Sequence, residues 1–136
     1  MAREVLPGVV QSINSKVDLV KKATSFHDFN SYGKIMVGNN GFEYYNDRNV
    51  KDFIQIPWSE VDLVIASVMF GGRSIPRFAI QTKSNGTFTF SSRDPKETLR
   101  AIRNYVPADH MVRSPSFFDV IKANIKMIGK KKPKKD

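Results

Sequence analysis

The feature that most constrains the fold is an Asn-Gly turn between two short strands with alternating apolar residues. Phe78 and Ile80 alternate before the turn, and Phe88 and Phe90 alternate after it. The turn, Lys83–Gly86, contains Asn-Gly, a pair that tight hairpins favour because both residues tolerate positive φ. The sequence therefore predicts a β-hairpin over residues 77–91, with one face of each strand in a core.

Further short strands and turn signals fill residues 15–92, a pattern typical of an antiparallel β-barrel or sandwich. The predicted strands cover about 16–26, 34–37, 42–45, 53–56 and 61–70. Gly38–Gly41 predicts a second hairpin, whose residues also tolerate positive φ. Pro57 marks a strand end or edge because proline lacks the N–H that a ladder needs. The fold class is mainly β with C-terminal helices.

A helix is predicted directly after the strands. Asp94 has the residue type of an N-cap, Pro95 fits the first helical position, and Glu97 can complete a capping box. Leu99, Ile102 and Val106 fall on one face, so we expect one helix that caps the β-layer.

The C-terminal part predicts a basic amphipathic helix. Ser114-Pro115 is a second start signal, Gly129 ends the pattern, and 130–135 is a lysine run interrupted by Pro133. The formal charge is +9, and eight Lys/Arg against two Asp in 113–136 supply most of it. We expect a mobile N-terminal segment at 1–14, a domain at 15–107, and a connector, helix and tail at 108–136.

This tail is the strongest candidate binding site. Its apolar face and charges suit an anionic lipid surface or a protein partner. The candidate contacts are Phe117, Phe118, Ile121, Lys122, Ile125, Lys126, Ile128, Lys130, Lys131 and Lys132. The alternative is a helix packed on its own domain with a solubilising end. Specific nucleic-acid binding is not expected, because no recognition-helix motif or stacking set accompanies the lysines.

Catalysis is not expected from this composition. The chain has no cysteine and two histidines, His27 and His110, without metal-ligand spacing, and it has no phosphate-binding or nucleophile motif. We therefore predict no catalytic residue, no metal and no cofactor. The absence of cysteine, of a signal-peptide core and of a membrane-spanning run favours a cytoplasmic protein with at most peripheral membrane contact.

Three other features have both a functional and a structural interpretation. Tyr45, Asp47 and Arg48 combine an aromatic ring with polar groups, as partner-binding loops do, but the polar run also fits turn chemistry. Gly71-Gly72-Arg73 is either an anion-binding nest, with Arg73 as a partner contact, or an ordinary loop tip. Trp58 is either a partner anchor or a core residue that closes one end of the sheet.

Several short stretches of the sequence, taken in order along the chain, resemble the ManO family of small Firmicute proteins, which are encoded beside the mannose-class sugar phosphotransferase (PTS) operon. The matching strings are Tyr32–Gly38, Phe42–Arg48, Ile54–Trp58, Ile65–Phe70, Ile75–Ile80 and Ser116–Ile121. The strand count, the Pro57-Trp58 corner and the closing helix also look like a pleckstrin-homology (PH) or GRAM-type barrel. The resemblance implies no catalytic residue.

What the resemblance implies is a regulatory adaptor of the mannose PTS. Its partners would be the membrane subunits IIC and IID, at the inner face of the cell membrane, and its effect would be on sugar uptake. The alternative is a soluble regulator of the operon that binds nucleic acid through the basic tail.

Overall fold

The structure, a computed structural model, describes residues 10–27 and 29–114. Eight strands and one helix follow one another along these residues. They are β1 (Val17–Ser25), β2 (Ser31–Gly38), β3 (Gly41–Asn46), β4 (Phe53–Pro57), β5 (Val61–Ser67), β6 (Phe78–Thr82), β7 (Thr87–Ser92), α1 (Pro95–Arg103) and β8 (Met111–Ser114). Short 3₁₀ turns lie at Trp58–Glu60, Phe70–Gly72 and Ala108–His110. The predicted mainly-β class with a helix after the strands is confirmed.

The strands form one sheet in the order β4-β3-β2-β1-β7-β6-β5-β8, with β4 and β8 at its two edges. Neighbouring strands are antiparallel, except that β8 runs parallel to β5. The antiparallel pairing predicted for residues 15–92 is therefore confirmed, but β8 makes the sheet mixed, and it lies in the stretch 108–136 where only a connector, a helix and a tail were predicted. The four residues of β8 show no alternation of apolar and polar side chains, so the sequence did not predict a strand there. They form a strand because they pair with β5.

The sheet bends over itself around an aromatic core. The Phe42 ring on β3 lies 6.1 Å from that of Phe78 on β6 and 5.0 Å from that of Phe90 on β7, although β2 and β1 separate β3 from β7. All three rings are fully buried. The core is closed on one side by Leu99 and Ile102 of α1 and by Val106, as the helical spacing predicts.

The β6–β7 hairpin confirms the strongest sequence prediction. Phe78 pairs with Phe90, and Ile80 pairs with Phe88, in the register that the alternation requires. Gly86 has a φ of 84°, a conformation that glycine adopts without steric cost.

The β2–β3 hairpin is also confirmed, but the predicted reason for its turn is wrong. Among the described residues, positive φ values occur elsewhere and not at 38–41. The turn is instead supported by the Asn14 side chain, whose Oδ1 accepts hydrogen bonds from the amides of Asn40 (2.6 Å) and Gly41 (2.9 Å). A Cβ at Gly38 would lie 2.5 Å from Asn14 Cγ, so glycine is needed here for close approach.

The start of α1 differs from the predicted capping box. Asp94 precedes the helix with a φ of 49°, and within the described residues its side chain makes no capping bond. The Asp94 and Glu97 carboxylates each lie 2.9 Å from Lys21 Nζ on β1. The hydrogen bond to Asp94, followed in size by the one to Glu97, raises the pKa of Lys21. Both acidic side chains therefore fasten the helix to the sheet.

Two segments depart from their predicted bounds. Residues 11–14 lie against the sheet, whereas the sequence analysis expected a mobile segment; Gln55 Nε2, for example, donates to the Gln11 carbonyl (2.8 Å). The predicted strand 61–70 ends at Ser67. It is followed by an isolated bridge between Met69 and Ser74 and by a 3₁₀ turn that begins at Phe70. Pro57 ends edge strand β4, as predicted.

Candidate partner-binding surface

The loop between β3 and β4, residues 47–52, is held by a dense set of local hydrogen bonds. Asn46 Oδ1 accepts from the amides of Arg48 (2.8 Å) and Asn49 (3.2 Å), while Asn46 Nδ2 donates to Asp52 Oδ2 (2.8 Å). The Asp52 amide donates to the Asn49 carbonyl (3.0 Å). Asparagine and aspartate commonly organise turns in this way. The loop is therefore pre-organised, which lowers the entropic cost of binding a partner.

Exposed apolar side chains lie on this loop, in the β1–β2 connection and at the start of β2, at the same end of the sheet. Phe29 is 84% exposed, Tyr32 is 70% exposed and Val50 is 59% exposed. The Asp47 amide donates to the Tyr32 carbonyl (3.0 Å), so the start of β2 lies directly beside the loop. We call Phe29, Tyr32, Asp47, Arg48 and Val50 the loop surface. It combines aromatic, aliphatic and charged groups, the residue types from which interface hot spots and their rims are built.

Of the predicted loop residues, Asp47 and Arg48 are exposed on this surface, and Asp47 Oδ1 lies 3.4 Å from Lys34 Nζ. Tyr45 is half-buried beside it, with its ring stacked on Phe53 at 6.4 Å. Its hydroxyl donates to Glu43 and accepts from Gln55 Nε2 (3.0 Å). Burial, followed by the Glu43 contact, raises the pKa of Tyr45 to about 12. Tyr45 thus belongs to a hydrogen-bonded group with Glu43 and Gln55 next to the loop, and it stays protonated.

Glu43 is the polar residue that the sequence analysis missed. It is fully buried on β3, on the face opposite Phe42 and Tyr44, beneath residues 12–14. Besides Tyr45, its donors are Ser12 Oγ (2.5 Å), the Ile13 amide (3.2 Å), Asn14 Nδ2 (2.7 Å) and Gln55 Nε2 (3.2 Å).

Burial alone raises the pKa of Glu43, but the hydrogen bonds from Ser12, Tyr45, Ile13 and Asn14 outweigh it and leave the pKa below its ordinary value. The carboxylate is therefore ionised, and its two oxygens are occupied by five donors. This arrangement fixes the N-terminal segment on the sheet and leaves Glu43 poorly placed to act as a base. Nothing in the sequence marked it, because a charged residue at an outward-facing strand position is ordinarily solvated.

Arg73 is exposed in the β5–β6 connection, which the strand directions place at the opposite end of the sheet from the β1–β2 loop. Gly72 has a φ of 93° and Arg73 a φ of −77°, the change of sign between successive residues that a nest needs. However, the Gly72 amide donates to the Met69 carbonyl and the Arg73 amide to the Phe70 carbonyl, so these two donors are taken by the loop itself. The loop-tip interpretation fits better.

Trp58 packs at the margin of the core. Its Nε1 donates to the Gly38 carbonyl (2.9 Å), and its ring stacks on Tyr105 at 5.1 Å. This favours the structural interpretation. The predicted tail contacts Phe117, Phe118, Ile121, Lys122, Ile125, Lys126, Ile128, Lys130, Lys131 and Lys132 lie outside the described residues.

The histidines lie in separate places. His27 packs against Phe88 at 4.9 Å, and His110 Nδ1 lies 2.8 Å from the Asp62 carbonyl oxygen. Across residues 10–27 and 29–114 there is no group of three or more His, Cys, Asp or Glu that could hold a metal ion. Over the same residues, no helix has the length and apolar character that a membrane crossing requires.

Comparison with known proteins identifies a family but no activity. The chain is similar in fold to the crystal structure of the C-terminal domain of an unknown protein from Leishmania infantum, with a TM-score of 0.57 and 9% identity over 66% of this chain and 83% of that one. No curated protein matches it. The sequence profile of the domain of unknown function DUF956 matches residues 9–125. The chain therefore belongs to the DUF956 family.

Proposed function

We propose that the chain is a non-catalytic adaptor of the mannose phosphotransferase system that binds the cytoplasmic face of the membrane subunits IIC and IID and modulates sugar uptake. The observation that carries the proposal is the loop surface. Three exposed apolar side chains stand on and beside a loop that its own hydrogen bonds hold in place. Exposed apolar side chains next to charged groups on a pre-organised loop suit protein binding better than they suit substrate turnover.

The choice of partner comes from the resemblance to the ManO family. Two of its strings, Tyr32–Gly38 and Phe42–Arg48, run through the loop surface. The PH/GRAM-like barrel is likewise a proposal. It is supported by seven antiparallel strands followed by a helix and by the packing of Phe42 across the sheet onto Phe78 and Phe90.

In this proposal the tail adds a second contact at the membrane. The apolar face that includes Phe117, Phe118 and Ile121 would meet protein or lipid, and the lysines would meet anionic headgroups. The loop surface is expected to set which protein is bound, because lysine contacts with anionic headgroups depend on the charge of the membrane surface and not on the identity of a protein in it.

The test is capture of the transporter from detergent-solubilised membranes by the affinity-tagged full chain. The variant Tyr32→Ala/Val50→Ala removes two exposed apolar side chains of the loop surface. We expect capture of IIC and IID to weaken at least about tenfold, because truncating two hot-spot side chains commonly costs more than about 1.4 kcal/mol. The matched control is Val17→Ala/Val20→Ala, which removes two exposed apolar side chains from β1.

Equal capture by all three proteins would remove the loop surface from the proposal, and failure of the unmodified chain to capture IIC or IID would refute the transporter as partner. Sequence-selective DNA binding with a steep salt dependence would favour the alternative, a regulator of the operon. Equal circular dichroism spectra establish that both variants are folded.

A further inference from the structure

A cleft of about 460 Å³ lies between α1, strands β5 and β8, and the loop Phe70–Arg73. Its floor is apolar and includes Val64, Leu99 and Met111. Its charged lining consists of Lys96, Arg100, Arg103 and Arg113, and no Asp or Glu of the described residues lines it. The volume falls in the range of small-ligand sites.

Three of these cations form one stripe along α1. Lys96, Arg100 and Arg103 follow one another at spacings of four and three residues, which places them on one helix face, and Arg113 comes from β8. Within residues 10–27 and 29–114, none of the four side chains makes a hydrogen bond or an ion pair, and the neighbouring Glu97 is engaged by Lys21. Arg100 and Arg103 also line an adjoining depression together with Asp18 and Glu97, so their charges are partly compensated on that side, away from the cleft.

An apolar pair stands at the rim of the cleft. Phe70 is 73% exposed and Met69 is 43% exposed, directly before Gly71 and Gly72, which line the cleft. Phe70 has a φ of 55°, an uncommon conformation for a bulky side chain. Strain of this kind is retained where the surrounding structure holds it and often accompanies ligand contact. A soluble anion would need the cations only; a bilayer meets both the cations and the apolar rim.

We infer that this cleft binds the phosphate of an anionic phospholipid headgroup while Phe70 and Met69 enter the bilayer surface. Arginine suits this ligand because its planar guanidinium donates two parallel hydrogen bonds to phosphate oxygens. All seven lysines of the chain after β8 lie at 122–135, where they would be repelled by the cations of the cleft, whereas residues 115–121 carry none, so the chain's own C-terminal part is tested below as a competing occupant. The inference concerns the folded domain and stands independently of the transporter as partner.

The experiment uses the full chain with Phe70→Trp and vesicles of phosphatidylcholine with or without phosphatidylglycerol. The difference in fluorescence between this variant and the parent isolates the introduced indole from Trp58, the single natural tryptophan. We expect a blue shift, and quenching by brominated acyl chains, only with anionic vesicles. Adding Arg100→Glu/Arg103→Glu should weaken this signal at least about 20-fold in lipid concentration, because each cation near an anionic surface contributes about fivefold.

The control, Lys16→Glu/Lys83→Glu, changes the net charge equally at exposed positions outside the cleft and should retain the signal. It also corrects for vesicle binding by the tail lysines, which all variants keep. Arg100→Gln/Arg103→Gln repeats the test without adding negative charge. Transporter capture should be unaffected by Arg100→Glu/Arg103→Glu, so failure here and failure of the adaptor proposal are separable.

Three results would overturn the inference. One is an indole signal that is absent, or equal in the cleft and control variants. Another is saturable binding of inorganic phosphate, followed by NMR shifts at Lys96, Arg100 and Arg113, without an indole response to vesicles, which would assign the cleft to a soluble anion. The third is rapid disulfide formation in Arg103→Cys/Ile121→Cys without vesicles, which would show that the chain's own C-terminal part fills the cleft; the parent contains no competing cysteine.

Discussion

Replacement of the buried Glu43 by glutamine tests how strongly the N-terminal segment is fastened to the sheet. The carboxylate accepts three hydrogen bonds at Oε1 and two at Oε2. A glutamine amide can keep its oxygen toward the first three donors, but its NH₂ then faces Ser12 Oγ and Asn14 Nδ2. Ser12 can turn and accept, whereas the Asn14 amide cannot.

One unsatisfied buried donor costs about 1–3 kcal/mol. The remaining bonds also lose their charge assistance, and charged bonds are roughly twice as strong as neutral ones. Relief from burying a charge offsets part of this loss. We therefore expect Glu43→Gln to lower the free energy of unfolding by about 2–4 kcal/mol at pH 7.

The assay is urea unfolding followed by circular dichroism, over a pH series. Because the folded pKa of Glu43 is below its ordinary value of 4.5, its stabilisation is present above that pH and is lost as the pH falls through the folded pKa. The difference in the free energy of unfolding between the parent and Glu43→Gln should therefore become smaller at acidic pH. Glu60→Gln, at a side chain that accepts an exposed hydrogen bond from Ser84 Oγ (3.2 Å), is the matched control and should change stability little. A loss below about 0.5 kcal/mol, or a gap independent of pH, would refute the reasoning.

Two further predictions concern packing and surface charge. Gly38→Ala should cost about 1–3 kcal/mol in urea unfolding, because its Cβ would meet Asn14 Cγ and the Lys16 carbonyl at 2.5 Å, while Ser84→Ala in the other hairpin changes little; equal effects would contradict the close-approach argument. Lys21→Met should lower the melting temperature slightly, and the difference should fade in high salt because the pairs with Asp94 and Glu97 are solvent-exposed. A salt-independent loss would indicate packing instead.

Local signals in the sequence predicted the elements whose causes are local. The β6–β7 hairpin follows from alternation and Asn85-Gly86, and α1 follows from Pro95 and the spacing of Leu99 and Ile102. Strand β8 could not be predicted in this way, because Met111–Ser114 becomes a strand only through β5, which lies far earlier in the chain.

The residues of the candidate site also differ in whether a local sequence signal could predict them. Asp47 and Arg48 were predicted from loop chemistry, but the exposure of Phe29 and Val50 beside them depends on which apolar residues the core leaves out. Glu43 is buried by residues about thirty positions away. The stripe Lys96, Arg100 and Arg103 is visible at helical spacing, yet a cleft whose described lining contains no Asp or Glu emerges only once β8 is in place.

The support of the β2–β3 turn by Asn14 has a consequence for the order of folding. The β6–β7 turn contains its own glycine in the required conformation and can close from local contacts alone. The β2–β3 turn receives its hydrogen bonds from a side chain 26 residues away, so a loop must close before those bonds form, and loop closure carries an entropic cost that rises with length. Two hairpins of similar shape therefore enter the folding reaction differently, one as an early local unit and the other as a late step that completes when the N-terminal segment arrives.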